Sequence, residues 1–151
     1  MKITLSTKII APIGICFDLA RSADIHLLST KHTNEKAIAG RRSGLFELDD
    51  EVTWEAIHLG VKQRLSTRIT QMEYPHFFED TMLKGAFKSM RHEHLFEDQP
   101  GITIMTDNFF YEVPLGWMGR IFDFIYLKGY MTKLLQMRNS VIKKEAEHGI
   151  Y

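Results

Sequence analysis

Residues Phe78 to Val113, FEDTMLKGAFKSMRHEHLFEDQPGITIMTDNFFYEV, decide the fold. Three runs of period two lie in this stretch. They are separated by two clusters of turn formers, Lys84-Gly85-Ala86-Phe87 and Glu97-Asp98-Gln99-Pro100-Gly101. Side chains alternate between the faces of a strand, so a hairpin register assigns each residue a face and a partner. Pairing Glu97 with Ile102 sets Phe96 opposite Thr103, His94 opposite Met105, His92 opposite Asp107 and Met90 opposite Phe109. Lys88 then faces Tyr111. Pairing Lys84 with Lys88 across the first turn sets Met82 opposite Met90, Asp80 opposite His92 and Phe78 opposite His94. The expected result is one sheet face on which His92 stands between Asp80 and Asp107, with His94 one step along. The charged set Arg91, Glu93 and Glu97 goes to the other face, which suits solvent. A slip of one residue would exchange the two faces.

Working outward, Lys2 to Ile10 alternates as a half-buried strand, and Ala11-Pro12 ends it. Pro12 suits the first turn of a helix over Ile13 to Ala20, and Ser22 can cap a second short helix. Strand texture follows from Lys36 to Gln71, broken at Arg42-Ser43-Gly44, at Leu48 to Glu51 and at Leu59-Gly60. Pro75 separates this region from the central stretch, since proline cannot donate to a ladder. After Pro114-Leu115-Gly116 the period changes to that of a helix. Ile121, Phe124, Ile125, Met131, Leu134, Leu135, Val141 and Ile142 fall at helical spacing between Trp117 and Glu147. Such a helix is roughly 45 Å long, enough to cross a small domain. The chain therefore reads as α+β: a curved antiparallel sheet of about six to seven strands, two short helices after the first strand, and a long C-terminal helix. That helix is the one element long and apolar enough to cover the bare sheet face, with Phe124, Ile125, Met131 and Leu135 among its inward residues. A strongly curved sheet rarely closes on a helix along its whole length, and the gap is a natural ligand cavity.

Composition narrows the partners. The 151 residues suit one domain spanning 1–151, with 44% hydrophobic and 25% charged residues. Lys and Arg balance Asp and Glu at nineteen each, so no basic excess points to nucleic acid or to an acidic membrane. No apolar run approaches the roughly 20 residues of a membrane span, so membrane insertion is not expected. The single cysteine, Cys16, allows no internal disulfide and fits the cytoplasm.

Several motifs resemble a known family. They are Ile9-Ile10-Ala11-Pro12 followed by Phe17-Asp18, Thr67-Arg68-Ile69-Thr70, the F-x-D-x-M of Phe78 to Met82, and the H-E-H-x-F of His92 to Phe96. The T-x-M-x-D of Thr103 to Asp107 and the later Tyr111-x-x-Pro114-Leu115-Gly116 complete the set. With the order of elements, they make the chain similar to the SRPBCC superfamily: START lipid-transfer domains, the birch-pollen allergen family and polyketide cyclases. In detail it is similar to a branch of small bacterial single-domain members. The resemblance covers nearly the whole chain and implies the helix-grip fold with an internal cavity. It does not imply a particular reaction, because the same fold hosts carriers, receptors and cyclases.

The expected cavity lining is Phe78, Met82, Met90, Phe96, Met105, Phe109, Tyr111 and Phe124, with Asp80, His92, His94 and Asp107 as its polar floor. Two imidazoles and a carboxylate on one face suit a divalent metal. A self-satisfied polar network suits the same residues better, so no metal and no cofactor are expected. Arg68 has three readings: counter-ion of Asp80, anchor for an acidic head group, or surface charge. The cavity reading makes the protein a carrier or sensor of a small apolar or aromatic molecule. Two alternatives remain open. One is a polyketide cyclase- or hydratase-like enzyme using His92 or His94 with Asp80 or Asp107; the other is a regulatory protein-interaction module. No Ser-His-Asp order, phosphate loop or dinucleotide glycine pattern is present.

Overall fold

A computed structural model describes residues 1–149. Strand β1 (Lys2–Ile9) leads into helices α1 (Ile13–Ala20) and α2 (Ala23–Ser29). The Ser22 hydroxyl caps α2 by accepting the Ile25 N–H at 3.1 Å. Strands β2 (Lys36–Gly40), β3 (Glu51–His58), β4 (Val61–Glu73), β5 (Phe77–Lys84), β6 (Ser89–Gln99) and β7 (Ile102–Glu112) follow. Helix α3 (Gly116–Phe122), a π turn over Asp123–Leu127 and helix α4 (Lys128–His148) complete the described chain. The seven strands form one antiparallel sheet in the order β1-β7-β6-β5-β4-β3-β2, and α4 lies across it. This is the helix-grip architecture.

The β5–β6 hairpin pairs Asp80 with His92 and Phe78 with His94, the register read from the turn residues. The β6–β7 hairpin differs. Gln99 pairs with Ile102, so Pro100 and Gly101 alone make the turn, and Asp98 and Gln99 continue the ladder. Gly101 sits at φ +75°, a left-handed conformation that glycine adopts without steric cost. The whole register is thereby displaced by two residues. His94 faces Asp107, His92 faces Phe109, Met90 faces Tyr111 and Phe96 faces Met105. An even displacement keeps every side chain on its expected face and changes only its neighbour.

The C-terminal helix departs from the expected continuous stripe. A π turn carries one residue more than an α turn, so it advances the helix face by one position. Asp123 takes the inward place that an unbroken helix would give Phe124, and its carboxylate accepts the Tyr111 hydroxyl proton. Phe124 and Ile125 turn outward, 89% and 75% exposed, while Met131 and Leu135 face the sheet.

Two apolar clusters fill the space under α4. One gathers Phe17, Trp54, Phe78, Phe96, Met105 and Ile142 beneath α1 and α2. The other gathers Ile3, Met90, Phe109, Tyr111 and Leu135. On β6, β7 and α4 alike, the residues separating the two clusters are polar: His92 and His94, Asp107, and Arg138 and Asn139.

Candidate functional site

This polar layer is the candidate site. His92 and His94 follow one another on the inner face of β6, so their rings stack at 3.8 Å between centroids. Phe78, the cross-strand neighbour of His94, covers its other side at 4.0 Å with the rings 9° from parallel. His92 Nε2 donates to Asp107 Oδ1 at 2.8 Å, and His94 Nε2 donates to Asp80 Oδ2 at 2.7 Å. From α4, Arg138 reaches Asp107 at 3.4 Å, the Asn139 side-chain oxygen at 3.0 Å and the Ala20 carbonyl at 3.1 Å. Asn139 donates its amide to the second Asp107 oxygen at 2.7 Å. Among the described residues, no buried side-chain nitrogen or oxygen lacks a partner.

Arg138 also approaches His94 Nδ1 at 3.3 Å. Guanidinium has only donors, so Nδ1 must accept and the proton must sit on Nε2, facing Asp80. His94 is therefore the neutral imidazole. Burial pushes its pKa down to about 4, the charge of His92 adds to this, and the Asp80 hydrogen bond resists only in part. Asp107 and Asp80 are subject to the opposite effect of burial, which favours protonation. For Asp107 the His92 hydrogen bond and the charges of His92 and Arg138 outweigh it; for Asp80 the His94 hydrogen bond does. Both carboxyls are held below their ordinary range.

Asp80, His92 and His94 each present a ligand-type atom, the three lying within 4.8 Å of one another. As they stand, these groups are committed to protein partners. Both His94 nitrogens are already engaged, and Arg138 holds a fixed positive charge against the group.

A cavity of about 180 Å³ lies against this layer, bounded by Asp80, His92, His94 and Arg138 on one side and by Trp54, Ile69 and Met90 among others. A second space of about 370 Å³ continues it towards α3, sharing Trp54, Leu65, Phe87, Met131 and Leu134 as walls. His58 and Glu35 border both spaces. His58 Nδ1 lies 2.7 Å from the Tyr130 hydroxyl, and burial pushes the His58 pKa down. Glu35 pairs with His26 at 3.0 Å, and that imidazole stacks on Trp54.

The sequence-derived residues divide into groups. Phe78, Asp80, Met90, His92, His94 and Phe109 border the smaller cavity. Asp107 is fully buried behind the histidines, Met105 and Phe96 sit in the first apolar cluster, and Tyr111 is committed to Asp123. Met82 packs on the second cluster. None of these five is a wall residue of either space. The expected lining is corrected for these five, and two further residues stand away from the site altogether. Arg68 lies on the outer face, paired with Glu51 at 3.1 Å, because β4 pairs it with Thr81 and directs Ile69, the partner of Asp80, inward. Phe124 is turned to solvent by the π turn. The cation of the site is Arg138, which the sequence reading passed over. Its signal is present: Leu135, Arg138 and Ile142 fall at helical spacing, so a charge occupies the middle of the apolar stripe. Cys16 is fully buried and burial pushes its thiol pKa up, which leaves it inert.

The fold and this polar layer define the class: a helix-grip protein, with the likeness to the SRPBCC superfamily holding at the level of the fold. Particular solved structures show the extent. TTHA0849 from Thermus thermophilus superposes with a TM-score of 0.73 at 16% identity, covering 94% of this chain and 97% of that one. The ginseng (Panax ginseng) major latex-like protein 151 gives 0.71 at 14% identity, covering 97% of each chain. A START superfamily protein from Mycobacterium smegmatis gives 0.71 at 10% identity, covering 96% of each. The chain matches no family model and no curated relative.

Proposed function

We propose that residues 1–151 form one ligand-binding domain that holds a small apolar or aromatic molecule between the sheet and α4, as a carrier or sensor. The observation that carries this is an apolar-walled space ending on a polar layer whose groups are already paired with one another. Such a floor leaves no unpartnered carboxylate or guanidinium for a strongly ionic ligand among the described residues, so the bound molecule is mainly apolar. One atom remains for it. His92 Nδ1 takes no hydrogen bond from the described residues, and His92 borders the cavity. With Nε2–H committed to Asp107, Nδ1 is the ring atom left to exchange a hydrogen bond with a ligand hydroxyl, which can both donate and accept.

The same observation favours a second reading. Asp107 orients His92 from behind as an acid orients a catalytic imidazole, so proton transfer from a bound hydroxyl or enol, cyclase- or hydratase-like, would use His92 rather than His94. Titration with a fluorescent apolar probe tests the first reading. Leu65, half-buried and bordering both spaces, is replaced in Leu65→Trp to fill them. Saturable binding by the wild type, lost in a variant that still melts cooperatively, is the expected outcome. Equal affinity in both would remove the cavity from consideration. Native mass spectrometry of freshly purified protein then identifies a retained ligand.

A further inference from the structure

Exposed apolar residues follow one another closely along α3 and the π turn. Leu115 is 71% exposed and Trp117 65%, and Phe124 and Ile125 are more exposed still, with Met118 and Ile121 about half exposed. Single exposed apolar residues are normal on a protein surface; a run of them within eleven positions is not. Two turns of the sheet come to the same end. Leu59 at the β3–β4 turn and Ala86 at the β5–β6 turn border the 370 Å³ space together with Leu115, Met118 and Phe122. Since several of these wall residues are themselves exposed, that space reaches the surface within this apolar face.

Charge around the face is predominantly positive. Between Val113 and Gln136 the cations Arg120, Lys128 and Lys133 are all exposed, and the one acid, Asp123, is buried on Tyr111. The β5–β6 turn adds exposed Lys84 and Lys88, Lys62 of β4 stands 3.8 Å from Glu55, and one exposed acid, Glu112, ends β7. The chain as a whole has a formal charge of zero, so these cations mark a local excess. Exposed aliphatic and aromatic side chains bordered by Lys and Arg, including a tryptophan and a tyrosine, are the composition of a surface that rests in the headgroup region of a bilayer. Among the described residues no helix is long and apolar enough to cross a membrane.

We propose that this face docks on an anionic lipid bilayer, with α3 and the π turn at the headgroup level and the cavity opening towards the lipid. The proposal is independent of what the cavity holds. Anionic lipid supplies the charge complement to the cations, and the acyl boundary receives Trp117, Phe124 and Ile125.

Flotation of the full chain with phosphatidylcholine vesicles, with and without phosphatidylglycerol, at low and high salt, tests it. Wild-type protein floats with the anionic vesicles, less so at high salt, and its tryptophan emission shifts to the blue. Trp117 is the source, because Trp54 is already buried. The variant Trp117→Ser/Phe124→Ser/Ile125→Ser changes exposed residues that border neither cavity, keeps the wild-type melt and loses at least about tenfold in partitioning. Arg120→Ser and Lys128→Ser each lower it about fivefold. Absence of partitioning, or equal partitioning of the triple variant, would overturn the proposal. So would a lipid-free dimer, seen by sedimentation and dissociated by the triple variant, in a chain that ignores vesicles; the patch would then belong to a second copy.

Discussion

Arg138 interrupts an otherwise apolar stripe of α4 and meets Asp107, Asn139, His94 and the Ala20 carbonyl. Burial above all, with the Arg138 guanidinium adding to it, keeps His94 neutral, and this has a measurable consequence. The folded-state pKa of His94 is depressed from 6.5 to about 4. A group of this kind contributes stability that is fully present above its unfolded pKa and lost as pH falls through the folded one. His94 alone should therefore remove roughly 3 kcal/mol of stability between pH 6.5 and 4. Urea unfolding across that interval in wild type and His94→Gln reads it. The glutamine keeps a donor towards Asp80 and does not titrate, so its profile should be flatter. Parallel profiles would assign the acid sensitivity elsewhere. Alternation along β5 and β6 suffices to bring Asp80, His92 and His94 together, because a period of two is rigid once a face is known. It does not reach Arg138, whose contacts depend on how a helix is rotated against a distant sheet.

At the level of elements, what is legible follows from local chemistry. Each strand and the two short helices announce themselves by alternation, by Pro12 and by the Ser22 cap. The β6–β7 partners are not legible from turn formers alone. Five of these residues adjoin one another, and only the Pro100-Gly101 backbone selects two of them for the turn. The π turn is less legible still. It coincides with a hydrogen bond from the Tyr111 hydroxyl, twelve positions back, to Asp123, and its effect is to reverse the expected orientation of Phe124. Helix α4 contributes buried Leu135, Arg138, Asn139, Ile142 and Ala146 to the apolar clusters and the polar layer. A chain ending at Lys128 should consequently lose its cooperative melt and bind hydrophobic dyes, since Asp107 would lose both partners from α4 and the sheet its cover. Circular dichroism melts and dye fluorescence measure this. A sharp, reversible melt in the shortened chain would show that the sheet stands without its helix.

For the molecule as a whole, the order β1-β7-β6-β5-β4-β3-β2 contains one long-distance junction. Strands β2 to β7 each pair with the strand next in sequence. β1 instead pairs with β7, and Thr4 meets Asn108, 104 positions later. Closing so long a loop costs more chain entropy than closing any of the hairpins. During synthesis the first strand made is thus the one whose place is created last: Lys2 to Ile9 emerges with no edge to join until β7 has formed. Through that interval an alternating, β-branched strand waits unpaired, and Ile3 and Ile9, both buried in the finished fold, stay wet. Pulsed hydrogen exchange during refolding should show β1 amides gaining protection after those of the β3–β4 and β6–β7 hairpins. Simultaneous protection would mean that the sheet closes in one step. A nascent chain of this protein therefore has a defined period of risk, which begins when its first strand is made and ends when its last strand arrives to shelter it.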